Sequence, residues 1–302
     1  MITLVGHPDC HKHSNGPGHP ESPARLAALE RLFRSQLGDA RWIEAPAVTE
    51  SDLLRAHTPK YLQYLRTIEQ AGGGMLDPDT HMGPGTLSAA SHAAGAVVMA
   101  AETALRGEGP LFCMVRPPGH HATPSRAMGF CIYSSVAVAA FAALHRGAER
   151  VLIVDWDIHH GNGTADCVRR EPRIRYVSIH QWPYYPGTGL ADDNGCGNLF
   201  HVPRPPGLPP EVYVRDLLEA VDRAVKDFAA SLVIHSAGFD AMRGDPLGGF
   251  TLEPEHYREI TMGIAERARF APAIGALEGG YDPERLAQGA LEHVKALAET
   301  VR

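Results

Sequence analysis

Short apolar runs alternate with longer stretches of helical period along the chain. Residues 111–115, 151–154, 174–179, 232–235 and 273–277 are short runs of mostly apolar residues. Consecutive apolar positions at strand length predict strands buried on both faces, not strands with one wet side. Residues 23–37, 88–105, 134–145, 211–230 and 254–268 instead carry apolar side chains three and four apart, which predicts helices. The first helix is the best delimited: Ser22 offers an N-cap, Pro23 suits the first helical position and Gly38 follows the end. Alternating strand and helix predict an α/β fold, three layers deep (α/β/α), around a central, mostly parallel sheet. No repeat, low-complexity tract or linker interrupts the pattern, so residues 1–302 read as a single domain.

Composition narrows the partners. Hydrophobic residues at 44% and charged residues at 21% suit a chain that buries a sizeable core in water. The net charge is −7 and no long basic run occurs, which argues against nucleic acid as a direct partner. Residues 127–145 hold no Asp, Glu, Lys or Arg over nearly the length of a membrane span. Their apolar members are mostly alanine, and Gly129, Tyr133, Ser134 and Ser135 interrupt them, so a buried helix is expected and no membrane partner. The five cysteines include no C-x-x-C pair, and the first residues lack the pattern of a secretory signal. Reduced thiols in the cytoplasm are the expectation.

Each predicted strand runs into polar residues. RPPGHHA follows the first, DWDIHHGNGT the second, His180 and PYYPGTG the third, SAGFDA the fourth and EGGYD the fifth. In an open parallel sheet, ligands bind beyond the carboxyl ends of the strands. Five such ends bearing His, Asp and Tyr predict one site assembled from distant sequence.

Asp157 and His159 stand two apart, so an extended backbone points both to one side. Asp240, from another strand end, completes a carboxylate–imidazole–carboxylate set. Three protein ligands with one position left for water is the arrangement of catalytic zinc. His120 and His121 are too close in sequence to share a metal, yet both can face one substrate. Water attack on an amide needs a base, and the departing amine needs an acid. Asp155 and Asn162 are available to fix the imidazole tautomers. Tyr281, behind Gly279 and Gly280, can aim a phenol at a developing oxyanion.

Taken in order, RPPGHHA, GFCIYSSVAVAA, DWDIHHGNGT, PYYPGTG, SAGFDAMRGDPLGG and EGGYD resemble the histone deacetylase family, within the arginase-like metallohydrolases. GHPESPARL and HTPKYL are similar to its N-terminal elements, and Asn162 and Leu247 suggest its class II branch. The resemblance implies one deacetylase-like catalytic domain over residues 1–302. It implies a zinc-dependent hydrolase that removes acetyl or another acyl group from an amine, foremost an acylated lysine in a peptide or protein.

The same resemblance assigns zinc to Asp157, His159 and Asp240. It assigns general acid–base work to His121, with His120 as its electrostatic partner. Asp155 pairs with His120, Asn162 stands beside His121, and Tyr281 polarises the carbonyl. Gly129, Phe130 and Tyr185 line the acyl-lysine tunnel, with Leu247 at its mouth. A structural potassium is implied at Asp155, the backbone of Asp157 and His159, Ser178, and the backbone of Ile179.

Departures from the family pattern are Tyr185, where phenylalanine is usual, and Ser134 and Ser135, where asparagine is common. A binuclear manganese site needs a further carboxylate two residues after His159, and that position is Gly161. Two rival readings remain. One is an acetylpolyamine amidohydrolase, for which a small acetylated amine is the substrate. The other is a binding module without turnover, against which the intact Tyr281 and ligand set speak. The histidines and cysteine at His7, Cys10, His11, His13 and His19 match no standard metal spacing and are expected at the rim of the site.

Overall fold

The computed structural model describes residues 1–300. The chain opens with β1 (Thr3–Gly6), α1 (Ala24–Gln36), β2 (Arg41–Glu44), a short α2 (Glu50–Leu53) and α3 (Pro59–Gln70). A small hairpin follows, β3 (Gly74–Asp77) with β4 (Thr80–Met82), and then α4 (Thr86–Leu105), β5 (Leu111–Cys113) and α5 (Ser135–His145). The second half runs β6 (Val151–Asp155), α6 (Asn162–Val168), β7 (Ile174–Gln181), β8 (Leu199–Arg204) and α7 (Pro210–Val225). It closes with β9 (Leu232–Ala237), α8 (Pro254–Arg267), β10 (Ala273–Leu277) and α9 (Pro283–Glu299).

Eight strands form one sheet in the order β2-β1-β5-β10-β9-β6-β7-β8, and every pairing is parallel. Helices α1, α9, α8 and α7 pack as one row, and α4 packs on α5. Strands β5, β6 and β9 are buried at every position because helices cover both faces. All five predicted strands are present, and they lie side by side in the middle of the sheet. Their carboxyl ends therefore share one edge.

Two local expectations change. Helix α1 begins at Ala24 with Pro23 as its cap residue, and no side chain caps it, so Ser22 is not the N-cap. The uncharged stretch 127–145 is not one helix: α5 starts at Ser135, and the preceding residues form a turn-rich wall of the site. No helix among the described residues is long and apolar enough to cross a membrane.

Candidate active site

β6 ends at Asp155, and the backbone then places Asp157 and His159 at the carboxyl edge of the sheet. Asp240 arrives from the turn after β9. The ligand atoms of Asp157, His159 and Asp240 all lie within 4.8 Å of one another, and all three residues are buried. His159 Nδ1 is 3.0 Å from Asp157 Oδ1 and 3.1 Å from Asp240 Oδ2. The outer oxygens are pinned by backbone: Gly279 N–H donates to Asp157 Oδ2 at 2.8 Å, and Ile158 N–H to Asp240 Oδ1 at 2.9 Å.

Two buried carboxylates converging on one point repel each other. Burial, reinforced by the charge on Asp157, pushes Asp240 above the ordinary carboxylate range. Burial works the same way on Asp157, but His120 and His159 outweigh it and hold that carboxyl down. A divalent cation at the point of convergence removes this conflict, and two oxygens with one imidazole nitrogen are zinc donors. The backbone leaves no slack here. A Cβ on Gly279 would stand 2.3 Å from Asp240 Oδ2 and 2.4 Å from Asp157 Oδ2.

His120 and His121 leave the loop after β5. His120 Nδ1 donates to Asp155 Oδ2 at 3.1 Å, since a carboxylate only accepts. Asp155 also accepts from Tyr176 at 2.9 Å and Ser236 at 3.0 Å. Burial disfavours the charged form of His120, but the carboxylates of Asp157 and Asp155 prevail and its pKa lies well above the usual value. His121 faces Asn162, the first residue of α6, with Nδ1 2.8 Å from Oδ1. Burial, together with the charges of His120 and His159, holds His121 well below the usual value. The adjacent histidines are thus pushed in opposite directions, His120 up by the carboxylates around it and His121 down by burial and its neighbouring imidazoles.

A pocket of about 200 Å³ opens above these groups. His121, His159 and Tyr281 line it, together with Gly129, Phe130, Tyr184, Tyr185, Leu247 and Asp79. Gly129 and Phe130 both have positive φ, 55° and 67°. A side chain at Gly129 would put Cβ 2.4 Å from His121 Cδ2, and Phe130 accepts strain of about 1–3 kcal/mol at that φ. The Phe130 backbone is held by the Thr80 hydroxyl at 2.9 Å. Tyr281 packs edge-on against Phe130 with ring centroids 5.8 Å apart, and its backbone N–H donates to Asp245 at 2.6 Å. Burial raises the Tyr281 phenol well above its usual pKa, which keeps it a proton donor.

Ser178 lies opposite Asp155 in the β6–β7 register, and Ile179 follows it, buried. Asp155 and Ser178, two of the residues expected to hold potassium, are thus neighbours across β6 and β7.

Sequence reasoning passed over several residues. Tyr184 stacks on His159 at 5.4 Å and completes the pocket wall beside Tyr185. Glu278, within EGGYD, turns its carboxylate to the loop bearing the paired histidines. Glu21, in GHPESPARL, is fully buried between Arg25 and Arg116. Arg25 donates to the carbonyls of Gly280, at 2.6 Å, and Glu278. Arg116 donates to the carbonyls of Cys10, at 2.8 Å, and His13, at 3.2 Å. Burial opposes the charge on Glu21, yet Arg116 holds its carboxyl far below the usual range. An isolated glutamate in a loop gives no sequence signal of this; only its company in a recurring motif does.

The N-terminal histidines disperse. His13 is buried against Thr86 and Glu21, His11 pairs with Glu30, and His19 packs edge-on to Phe130 at 4.5 Å. His7 joins Asp9 and His92 in a second group of possible donors, but its members are already engaged. His7 Nδ1 accepts from Asp9 N, His92 Nδ1 meets the Ser88 carbonyl, and Asp9 binds Lys12 and Ser88.

Known proteins share this sequence pattern and fold. The family described as "Histone deacetylase domain" matches residues 19–297. A probable deacetylase of Methanothermobacter thermautotrophicus is 37% identical over 296 residues, covering 96% of this chain and 88% of its own. A histone deacetylase-like amidohydrolase of Pseudomonas aeruginosa is 37% identical over 276 residues, covering 87% and 73%. The solved HDA15 HD domain superposes with a TM-score of 0.92 at 33% identity, over 100% of this chain and 92% of that one.

Proposed function

The chain belongs to the histone deacetylase family of hydrolases, and from that premise we propose that it is a zinc-dependent deacetylase acting on acyl-lysine side chains of peptides or proteins. The observation that carries this reading is the pocket: narrow, walled by Phe130, Tyr184 and Tyr185, with His121, His159 and Tyr281 reaching into it. Aromatic walls suit the apolar stem of a lysine, and the polar end is where an amide would be cut. All of residues 1–302 belong to this one catalytic domain, and five unpaired thiols suit the cytoplasm.

Asp157, His159 and Asp240 are the residues that would hold zinc. When bound, zinc supplies Lewis-acid polarisation of the carbonyl and acidifies a water. Neutral His121 takes the water's proton through Nε2, because its Nδ1 proton is committed to Asn162. His120, charged and backed by Asp155, steadies the negative charge that develops nearby. The Tyr281 phenol donates to the oxyanion. Once protonated, His121 returns its proton to the departing amine. Asp155, Ser178 and the carbonyls of Asp157, His159 and Ile179 would hold potassium, whose preference is for oxygen.

A second substrate reading has one observation in its favour: the carboxylate of Asp79 lines the pocket and could meet the distal amine of an acetylpolyamine. Leu247, on the same wall, brings no charge to meet such an amine. The deciding experiment compares kcat/KM for acetyl-lysine peptides, acetylspermidine and acetylputrescine, with zinc-loaded and chelator-stripped protein. Peptide preference lost on stripping and regained with zinc is expected. No turnover of any acetyl-lysine peptide by loaded protein would defeat the proposal.

A further inference from the structure

Glu278 is 1% exposed and carries a carboxylate that meets no lysine, arginine or histidine side chain among the described residues. A buried carboxylate without a direct ion pair is expensive, so its partners show what it is for. Oε2 accepts from the backbone N–H groups of Gly119, at 2.7 Å, and His120, at 3.1 Å. Oε1 is 3.3 Å from the Ser236 hydroxyl, which also reaches Asp155. Two successive N–H groups aimed at one oxygen form an anion-binding nest, and here the anion comes from the end of β10.

The nest lies in the peptide that leads into the paired histidines. Its other polar atoms are tied as well: Thr164 N–H donates to the His120 carbonyl at 3.0 Å, and His121 N–H meets Cys131 Sγ at 3.4 Å. Gly119 is packed so closely that a Cβ would stand 2.8 Å from Ser135 N and Tyr133 O. Of these anchors, Glu278 alone satisfies two donors at once, and it does so directly before the imidazoles. Burial pushes its pKa up to about 7, against the pull of His120, and an Oε2 that faces two N–H groups accepts from them whether or not Oε1 carries a proton.

We infer that Glu278 is a positioning residue for the reaction: its carboxyl oxygen clamps the Gly119–His120 backbone and thereby sets where the His120 and His121 rings stand. The inference rests on the deacetylase reading for its kinetic consequence, but its structural half does not.

Two variants separate the possibilities. Glu278→Ala leaves both amides unpaired, whereas Glu278→Gln keeps an oxygen for them and can turn its NH2 to Ser236. With metal-loaded protein, Glu278→Ala should lower kcat about 100-fold with KM little changed, the scale of a misplacement near 1 Å. Glu278→Gln should recover kcat to within about tenfold of wild type by the same reasoning. Amide hydrogen exchange of residues 116–122, measured on metal-free protein, reports the clamp without any turnover. Protection at Gly119 and His120 should fall in Glu278→Ala and persist in Glu278→Gln. Unchanged protection in Glu278→Ala overturns the inference, as does a Glu278→Gln enzyme no faster than Glu278→Ala. Loss of protection in a protein that hydrolyses no acyl substrate even as wild type would leave the clamp standing and remove the deacetylase reading instead.

Discussion

Asn162 Oδ1 sits 2.8 Å from His121 Nδ1, while its Nδ2 points to Met128 Sδ at 3.5 Å. The amide is thus oriented, oxygen toward the ring, and His121 keeps its proton on Nδ1 and a lone pair on Nε2. A ring in this state is a base, and one whose pKa is held below the ordinary value stays a base into mild acid. The acidic limb of kcat/KM should therefore fall below about pH 6.5, the unperturbed histidine value. Asn162→Asp places a carboxylate at the same spot and favours the imidazolium. It should move that limb upward by about one unit or more. A limb that stays in place in a pH–rate profile would disconnect Asn162 from the base.

Metal retention should depend on carboxylate placement as much as on identity. Asp240→Ala removes a donor, and Gly279→Ala inserts a methyl group between the oxygens of Asp157 and Asp240. Both should reduce tightly bound zinc well below one per chain in elemental analysis after dialysis. Full occupancy in Asp240→Ala would remove that residue from the ligand set.

Tyr281→Phe deletes one hydroxyl at the pocket. Turnover of an acetyl-lysine amide should drop by about two to three orders of magnitude, the loss associated with one oxyanion donor. Zinc content and melting temperature should hold, because the ring keeps its packing on Phe130. An unchanged kcat would assign the oxyanion to another donor.

Leu247 and Asp79 face the same pocket with opposite preferences. Leu247→Glu should shift the ratio of kcat/KM values toward acetylspermidine by about five- to tenfold, equivalent to an ion pair worth about 1 to 1.4 kcal/mol. Asp79→Asn should shift it the other way. Two variants moving the ratio in the same direction would show that charge at the mouth does not select.

Acid should unfold this protein early. Burial lowers His57 and His201 to about 4, and His180 and His235 to about 3. These rings are neutral when folded and take up protons when unfolded, so the unfolded state gains protons as pH falls below about 6.5. Stability is fully present above that pH and is lost on the way down to the folded values. Each group contributes a slope of up to about 1.4 kcal/mol per pH unit. His235 has no hydrogen-bond partner at either nitrogen, so His235→Phe should remove one such contribution at little other expense. Urea unfolding between pH 7.5 and 4.5 reads both slopes, and a parallel pair of curves would show that His235 does not titrate between the two states.

The parts of this fold visible in sequence were those with continuous apolar character. β5, β6, β7, β9 and β10 occupy the covered centre of the sheet, where both faces demand aliphatic residues. β2 (RWIE) and β8 (LFHVPR) are edge strands, less buried than the centre and interrupted by charge or proline, and so lack that mark. Helices α3 and α9 lie outside the five predicted helices, although they carry plain start signals in sequence, Thr58 and Asp282 as side-chain caps with proline next. At the site, residues whose chemistry is named by their side chains were legible: the aspartates, histidines and Tyr281. Glu21 and Glu278 were not, because the arginine side chains that meet the first and the backbone N–H groups that meet the second come together only in the fold. Tyr184 was missed for a plainer reason, in that either tyrosine of PYYPGTG could have filled the wall and both do.

The buried chain of Arg116, Glu21 and Arg25 gives the first residues of the protein an unusual hold over its centre. It joins the segment around Cys10 and His13 to the turn that bears Tyr281. Between those ties the backbone surfaces at Gly16, Pro17 and Gly18, an exposed turn of the kind proteases cut. A single nick there severs His13 from Glu21 in the chain while leaving all eight sheet strands whole. Arg25, Glu21 and Arg116 all lie on the carboxyl side of such a cut, so the tie to the turn that bears Tyr281 stays within one fragment. What the cut would release is the covalent tether of Cys10 and His13, which Arg116 and the pairing of β1 with β2 and β5 still hold in place.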